Sequence, residues 1–521
     1  MKRAFLTSVG VGPVVVVGWL ALAGCDGASG CPAAGCPTGT HCAGGECVPD
    51  AVDGGADGDA DGAADAGDGG DAEPGRPLQP TVVLGAGGFF GISGLGLSPV
   101  HGGGVFAVGA HYADISAAEQ PALQAGRVYL FGPFAGGQPP AGVDEALLVL
   151  EPPDAAEMGG FGYSLCPPCD LNGDGALDLP VGNHLYSPAA APNSGRALVF
   201  WGDGDAGLAV ERSTSHHLDE GLRRQSDVMG QTVVCADVDG DGYDDLLLGG
   251  QNAGADDTGL LAVFPGGPDG PAATPQRLLT PALAESRQYF GASAVWADLD
   301  GDGAEDLAVG GWGLIRGQAA GGVHTGGALV FRGGSDWSQG FDFGLWPVTD
   351  QEVGAGGTLA LVGAGENRFL AMGVSDLSGG AVLLFRLGPE IRDGAIYQAL
   401  AAPDGYEDTG FGQAIAWVPD FHGAGRGAML VGMKHADAAP DNTGTGAVAV
   451  YTPAADGRGF QRPPELLLAP DPQPMDAFGG NIVPLGDVDG DGLGDFFVGM
   501  DSHIEGDMQT GEQTGGLVLY R

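Results

Sequence analysis

Positive charge is what this chain has least of. Lysine and arginine number 20 among 521 residues, against 67 aspartates and glutamates, and the formal net charge is −47. Nucleic acid and anionic membrane surfaces both demand a basic footprint, so neither is an expected partner. The recurring catalytic signatures are absent as well: the sequence has no G-x-S-x-G, H-E-x-x-H, Walker-type or Rossmann fingerprint. Glycoside chemistry needs only two carboxylates, but at this acidic composition stray Asp/Glu pairs identify nothing.

Glycine, in contrast, is abundant at 101 residues, and the acids are patterned. The stretch DVDGDGYDDLLLGG, 237–250, crowds Asp237, Asp239, Asp241 and Asp245 against an apolar run. Two like charges about 4 Å apart repel by roughly 4 kcal/mol at an effective dielectric near 20, so a cation is expected among them. The spacing D-x-D-x-D-G resembles the first half of a calcium loop, in which alternate side chains converge on one ion and glycine permits the sharp turn. Loop position 12 is Leu248, where an EF-hand would need Glu. The run that follows reads as a buried strand, so the loop is expected to join two strands.

The pattern recurs from Asp170, Asp298 and Asp487, at intervals of 67, 61 and then 189 residues, about three times 63. Degenerate copies fill the gaps. PDFHGAGRGAMLVGM keeps Asp420 and has His422, Ala424 and Ala428 in place of the other acids; LVGAGENRFLAMGVSD from Leu361 keeps only the strand; LSPVHGGGVFAVGA from Leu97 is a third. That makes seven units.

A Phe-Gly or a variant precedes each loop: Phe90-Gly91, Phe161-Gly162, Met229-Gly230, Phe290-Gly291, Val353-Gly354, Phe411-Gly412 and Phe478-Gly479. A Gly-plus-aliphatic strand follows each, as in GRVYLFG, GLLAVFPG and GGLVLYR. With these marks in phase, residues 80–521 resemble the FG-GAP repeats of integrin alpha-subunit propellers. The resemblance implies a four-stranded blade per repeat and calcium in the acidic loops. It carries over to the four intact loops, about four structural Ca2+ ions in all. Their ligands would be Asp170, Asn172, Asp174 and Asp178; Asp237, Asp239, Asp241 and Asp245; Asp298, Asp300, Asp302 and Asp306; and Asp487, Asp489, Asp491 and Asp495, each set with a backbone carbonyl at position 7.

One more apolar run, as in QRLLTP and ELLLAP, lies between each Gly-aliphatic strand and the next Phe-Gly, so each repeat reads as strands A to D. The last repeat ends at Arg521 without strand D, while QPTVVLG, 79–85, has the strand D pattern ahead of the first Phe-Gly. The expectation is an all-β, seven-bladed β-propeller closed by pairing of 80–84 with the last blade, with a solenoid as the alternative. Antiparallel alternation puts the A–B loops and C–D turns on one face and the long B–C loops on the other, among them Trp312–Gly327 and Asp501–Gly516 with Trp312, His324 and His503.

Ahead of the repeats, MKRAFLTSVGVGPVVVVGWLALAGC has the basic start, apolar core and small-residue end of an export signal. Leu22-Ala23-Gly24-Cys25 resembles a bacterial lipobox, which implies cleavage after residue 24 and lipidation of Cys25. Residues 25–47 are the anchor and a small segment with Cys31, Cys36, Cys42 and Cys47, read as two disulfides of open connectivity or, alternatively, a zinc site. Residues 48–79, rich in Asp, Gly and Ala, are a solvated tether. In the propeller, Cys166-Pro-Pro-Cys169 is expected to form a local disulfide, Cys235 to pack as a small hydrophobe, and His216-His217 to be a surface pair.

The functional expectation is an exported, monomeric, lipid-anchored calcium-binding module of the bacterial cell envelope. The outer membrane or cell surface is favoured, with the inner membrane open. It would touch the membrane through its lipid only and bind a protein or glycan partner. The alternative is a propeller-based lectin or polysaccharide-acting enzyme using the central funnel or inter-blade pockets.

Overall fold

A run such as Leu246-Leu247-Leu248 is apolar on both sides of the pleat, so its strand must be covered on both faces. A stack of sheets standing side by side meets that demand. The computed structural model of the protein describes residues 106–521 apart from 116–121, 133–139, 141, 155–157, 203–207, 319–320, 336, 350, 375–378, 407–408, 438–443, 456, 471, 501–503, 506–511 and 514. Upstream it describes the strands at 40–43, 46–49, 80–84 and 90–96.

Seven four-stranded antiparallel sheets form the blades of a β-propeller. Blade 1 comprises Phe90–Gly96, Phe106–Ala110, Arg127–Phe131 and Leu148–Leu150; blade 2, Phe161–Leu165, Leu179–Asn183, Arg196–Gly202 and Leu208–His216. Blade 3 comprises Thr232–Ala236, Asp245–Gly250, Leu260–Phe264 and Arg277–Leu279; blade 4, Phe290–Ala297, Asp306–Gly311, Gly327–Phe331 and Phe343–Leu345. Blade 5 comprises Ala355–Ala364, Asn367–Val374, Ala381–Arg386 and Gln398–Ala401; blade 6, Ile415–Val418, Ala428–Met433, Ala447–Tyr451 and Glu465–Leu467. Blade 7 comprises Phe478–Gly486, Asp495–Met500 and Gly516–Tyr520. Its fourth strand is Pro80–Leu84, antiparallel to the third with Pro80 opposite Tyr520 and Leu84 opposite Gly516.

The core is divided into layers, each sandwiched between two neighbouring blades. Between blades 3 and 4 lie Leu247, Leu261, Val263, Phe290, Val309 and Phe331; between blades 7 and 1 lie Phe497, Leu517 and Leu519 against Phe106, Val108 and Phe131. The rings of Phe106 and Phe497 are 4.7 Å apart, so the last blade packs on the first. Each fully buried side chain of this size contributes about 1.5–3 kcal/mol, and every such layer needs two blades to exist. In blade 3, strands B and C are buried along their length, whereas strand D, Arg277–Leu279, is largely exposed.

Glycine sets how closely the sheets approach. Gly291, of the Phe-Gly pair, has φ +87, and a Cβ there would lie 2.4 Å from the Leu260 carbonyl oxygen of the preceding blade. A Cβ on Gly249 in strand B of blade 3 would in turn lie 2.3 Å from the Gly291 oxygen. The same test corrects the fifth repeat. A Cβ on Gly310 would lie 2.1 Å from the oxygen of Gly356, and Gly326 bridges Ala355 in parallel as Gly259 bridges Phe290. The Phe-Gly equivalent is therefore Ala355-Gly356, two residues beyond Val353-Gly354. Val353 is buried and apolar like the missing Phe, but the seam is defined by where the glycine meets its neighbour.

The chain divides into two units, residues 19–75 forming the second. Within that unit Thr40–Ala43 pairs with Glu46–Pro49, setting Cys42 opposite Cys47. Cys25, Cys31, Cys36, the signal segment, the tether at 50–79, the degenerate loop at 97–105 and His503 lie outside the described residues. Among the described residues no helix is long and apolar enough to cross a membrane.

Candidate metal centres

The Asp-Gly alternation dictates a tight loop whose N–H groups turn inward onto its own carboxylates. At the Asp237 loop, the amides of Gly240 and Asp241 donate to Asp237 Oδ1 (2.8 and 3.1 Å) and that of Gly242 to Asp237 Oδ2 (3.0 Å). Asp241 N also donates to Asp239 Oδ1, and Tyr243 N to Asp241 Oδ1. Gly240 and Gly242 make the turn at φ +76 and +91. These bonds orient the carboxylates, and oxygens of Asp237, Asp239 and Asp245 lie within 4.8 Å of one another. The Asp487 loop repeats the arrangement with Asp487, Asp489 and Asp495.

Position 9 opens strand B in three loops and immediately precedes it in the first, and its carboxylate is buried in all four: Asp178, Asp245, Asp306 and Asp495. Asp245 accepts Val238 N–H at Oδ2 and Gly266 N–H at Oδ1 (2.9 and 2.8 Å), tying the loop to the end of strand C. Asp178 and Asp306 make the same two-ended link, to Leu171 and Gly202 and to Leu299 and Gly333. Burial pushes the Asp178, Asp245 and Asp495 carboxyls up to about 6, against the pull of these N–H donors. In the last blade Asp495 Oδ2 accepts Val488 N–H, but Oδ1 is buried without a hydrogen-bond partner. A buried orphan oxygen beside two further carboxylates, all hard donors, fits a divalent cation of the calcium type.

The sequence-predicted ligands do not all converge. Asp241 and Asp491, at position 5, lie outside the trios of their loops, and so does Asp306 at position 9 of its loop. In the first loop Asp170 accepts Asp174 and Gly175 N–H, while the Asn172 amide donates to Asp174 Oδ2 at 2.9 Å; no acidic trio forms there among the described residues. The Asp298 loop gathers Asp298, Asp300 and Asp302, and guanidinium groups already meet two of them: Arg332 bonds Asp300 and Asp302, and Arg392, from blade 5, bonds Asp300. Sequence reading missed both arginines. FRGG after strand C was a visible local signal for Arg332, but nothing local marks Arg392, which arrives from the next repeat.

The cysteines also pair otherwise than expected. Cys169 is joined to Cys235, with Cα atoms 6.2 Å apart, and Cys166 is a buried thiol whose pKa burial pushes far up. The reason is topological: Cys169 follows strand A of blade 2 and faces strand A of blade 3, so its neighbour lies one repeat away. All three sulfurs lie in the apolar layer between those blades with Leu171, Val199 and Leu246. Nor is His216-His217 a surface pair. His216 is buried edge-on against Phe264 with Nδ1 3.2 Å from Ala272 O, and burial lowers its pKa to about 4; His217 is half-buried.

On the opposite face Trp312 stacks on Tyr289 at 3.6 Å and donates Nε1–H to Gln251, and His324 Nδ1 lies 2.8 Å from Gly313 O. These side chains brace the loop base. In blades 1 and 2, His184 packs on Tyr163 (4.0 Å) with His111 at 6.1 Å.

No protein-family profile matches the chain. Part of it is similar to integrin alpha-PS2 of Drosophila melanogaster, 32% identical over 159 residues, which is 29% of this chain and 11% of that protein. A similar stretch is 32% identical over 161 residues to integrin alpha-5 of Xenopus laevis, covering 30% and 15%. Another is 32% identical over 151 residues to phosphatidylinositol-glycan-specific phospholipase D of Homo sapiens, covering 28% and 17%. The matched region spans less than a fifth of each of these relatives. Seven blades of one topology, glycine seams in register with the Phe-Gly pairs, and likeness to integrin alpha subunits make this chain an integrin-alpha-like FG-GAP β-propeller.

Proposed function

We propose that the propeller is an adhesion or interaction module of the bacterial cell envelope, exported, held by lipid at Cys25, and stiffened by calcium in its A–B loops. The observation that carries the reading is the convergence of Asp237, Asp239 and Asp245, and of Asp487, Asp489 and Asp495, at the same place in their blades. Bound calcium would supply the positive charge these loops lack. The chain's own part is to hold the carboxylates in place through the loop amides and to tie each loop to strand C through the buried position 9 acid. With that face committed to its own rigidity, a protein or glycan partner is expected on the opposite face, at the B–C loops.

The test has two readouts. Calorimetric melting with calcium and with chelator should separate by several degrees; coincident curves sink the calcium reading. A glycan and protein array, probed with the parent and with a form whose 315–324 segment is replaced by a short Gly-Asn turn, should lose its signal in the variant while calcium-dependent melting persists. Trp312 and its stacking on Tyr289 are kept in that variant. Intact mass of the membrane-extracted protein decides the anchor, since an unmodified N-terminus excludes lipid at Cys25.

A lectin or enzyme reading has two observations in its favour. A cleft of about 500 Å³ between blades 3 and 4, beside the Asp237 loop, is lined by Trp296, Trp337, Arg277, Asp239 and Glu305, the ring-and-carboxylate mixture that suits a sugar. The likeness to a phospholipase D is the other. Array binding that survives the loop replacement and is lost in Trp296→Ala would move this reading ahead.

A further inference from the structure

The Asp298 loop has the same sequence pattern as its neighbours but different company. Asp300 is buried, its side chain 0% exposed, and a buried carboxylate must be paired to be tolerated. Its Oδ2 accepts from Arg332 Nε at 3.0 Å and from Arg392 Nε at 2.8 Å; Arg332 also pairs with Asp302, and Arg392 Nη2 lies 3.7 Å from Asp302.

Both arginines are fixed in place by groups other than the carboxylates. Arg332 donates its backbone N–H to Asp342 Oδ2 (2.9 Å), while its carbonyl accepts from Trp337 Nε1 (2.7 Å) and Ser335 Oγ (2.8 Å). Arg392 stands on a 3-10 turn, Pro389–Asp393, in the C–D connection of blade 5. That turn docks on the loop through Gly388 N–H to Leu299 O at 2.8 Å, and Ile391 is buried in the layer between blades 4 and 5. The two planar forks are thus delivered to the carboxylates by packing and backbone bonds. A guanidinium is charged at all accessible pH and bonds carboxylates through a rigid fork.

We propose that the Asp298 loop takes guanidinium in place of calcium. Arg332 of its own blade and Arg392 of the next satisfy Asp300 and Asp302, so this loop is a metal-independent clamp between blades 4 and 5. The inference rests on the calcium reading of the other loops and sharpens it: the pattern D-x-D-x-D-G counts carboxylates, not ions.

Equilibrium dialysis against calcium alone tests it, on the full propeller and on R332Q/R392Q, with R332A/R392A as a second form. Removing the guanidinium groups should admit one additional equivalent of calcium per chain, and adding Asp298→Asn should take that equivalent away again. An unchanged count, with calcium bound elsewhere, overturns the proposal. If neither protein binds calcium, the calcium reading of the other loops is what has failed, and the clamp is judged in chelator by melting of the parent, Arg392→Gln, Asp300→Asn and the double variant. A double variant no less stable than the worse single supports the clamp; strictly additive losses overturn it.

Discussion

Gly249 in blade 3 lies so close to the carbonyl oxygen of Gly291 in blade 4 that a single added carbon would sit 2.3 Å from it. Backbone faces backbone there, and neither can rotate away as a side chain can. Gly249→Ala is expected to push the two blades apart and cost about 1–3 kcal/mol, the usual range for an overfilled core. Gly221→Ala, where nothing lies within 4 Å, should leave stability unchanged. Urea midpoints of the two variants decide it.

The link between Cys169 and Cys235 spans 66 residues of chain. Closing a loop of that length removes enough freedom from the unfolded chain to be worth about 4 kcal/mol in the chain-entropy account. Cys235→Ser should therefore lower the melting temperature substantially. Peptide mapping without reduction should recover 169 linked to 235, with Cys166 alkylated only after unfolding; a 166–169 link would refute the assignment.

His184 is enclosed by Tyr163 and His111, with Nδ1 3.3 Å from Gly160 O, and burial lowers its pKa from 6.5 to about 4. The unfolded chain takes up a proton near pH 6.5 while the folded one refuses it until about 4. The contribution is fully present above pH 6.5 and is lost as pH falls toward 4, by about 3 kcal/mol at most. The buried aspartates shift the opposite way in an overlapping range, so the quantity to measure is the difference between parent and His184→Asn. That difference should shrink steadily between pH 7 and 4.5; a flat difference would exclude His184 as the cause.

Asp245 and Asp420 separate an intact loop from a degenerate one. Asp245→Asn should reduce the calcium-dependent rise in melting temperature, because the buried carboxylate belongs to the Asp237 trio and also ties the loop to Gly266. The Asp420 carboxylate accepts one bond from its own loop, at Gly425 N–H (2.5 Å), so Asp420→Ala should cost about 1 kcal/mol and leave the calcium dependence as it was. Scanning calorimetry at two calcium concentrations distinguishes the two.

Much of the architecture was legible because it is periodic. The seven apolar B strands, the acidic loops before them and the D strands at 148–150, 277–279 and 465–467 each announce themselves within a few residues. What escaped lies between repeats. Cys235 finds Cys169, Arg392 finds Asp300 and Gly356 meets Gly310 because neighbouring blades face each other, and contacts at that separation leave no mark on local hydrophobic rhythm. The acidic pattern by itself also implies one ligand set four times over. The fold separates those copies into two trios that include position 9, one met by arginines, and one in which an asparagine amide bonds its neighbour.

Six of the blades are built from strands consecutive in the chain, but in the seventh the fourth strand, Pro80–Leu84, pairs with Gly516–Tyr520 from far along the sequence. A strand held in that way can be supplied by any copy that carries it. At high concentration or under mild denaturant, a propeller that releases its own 80–84 segment presents an open groove to the same segment of another molecule. Strand exchange would then join copies into dimers or open chains without altering a single blade, and a tight covalent join between residue 521 and residue 80, with new ends cut in a long surface loop, would abolish it.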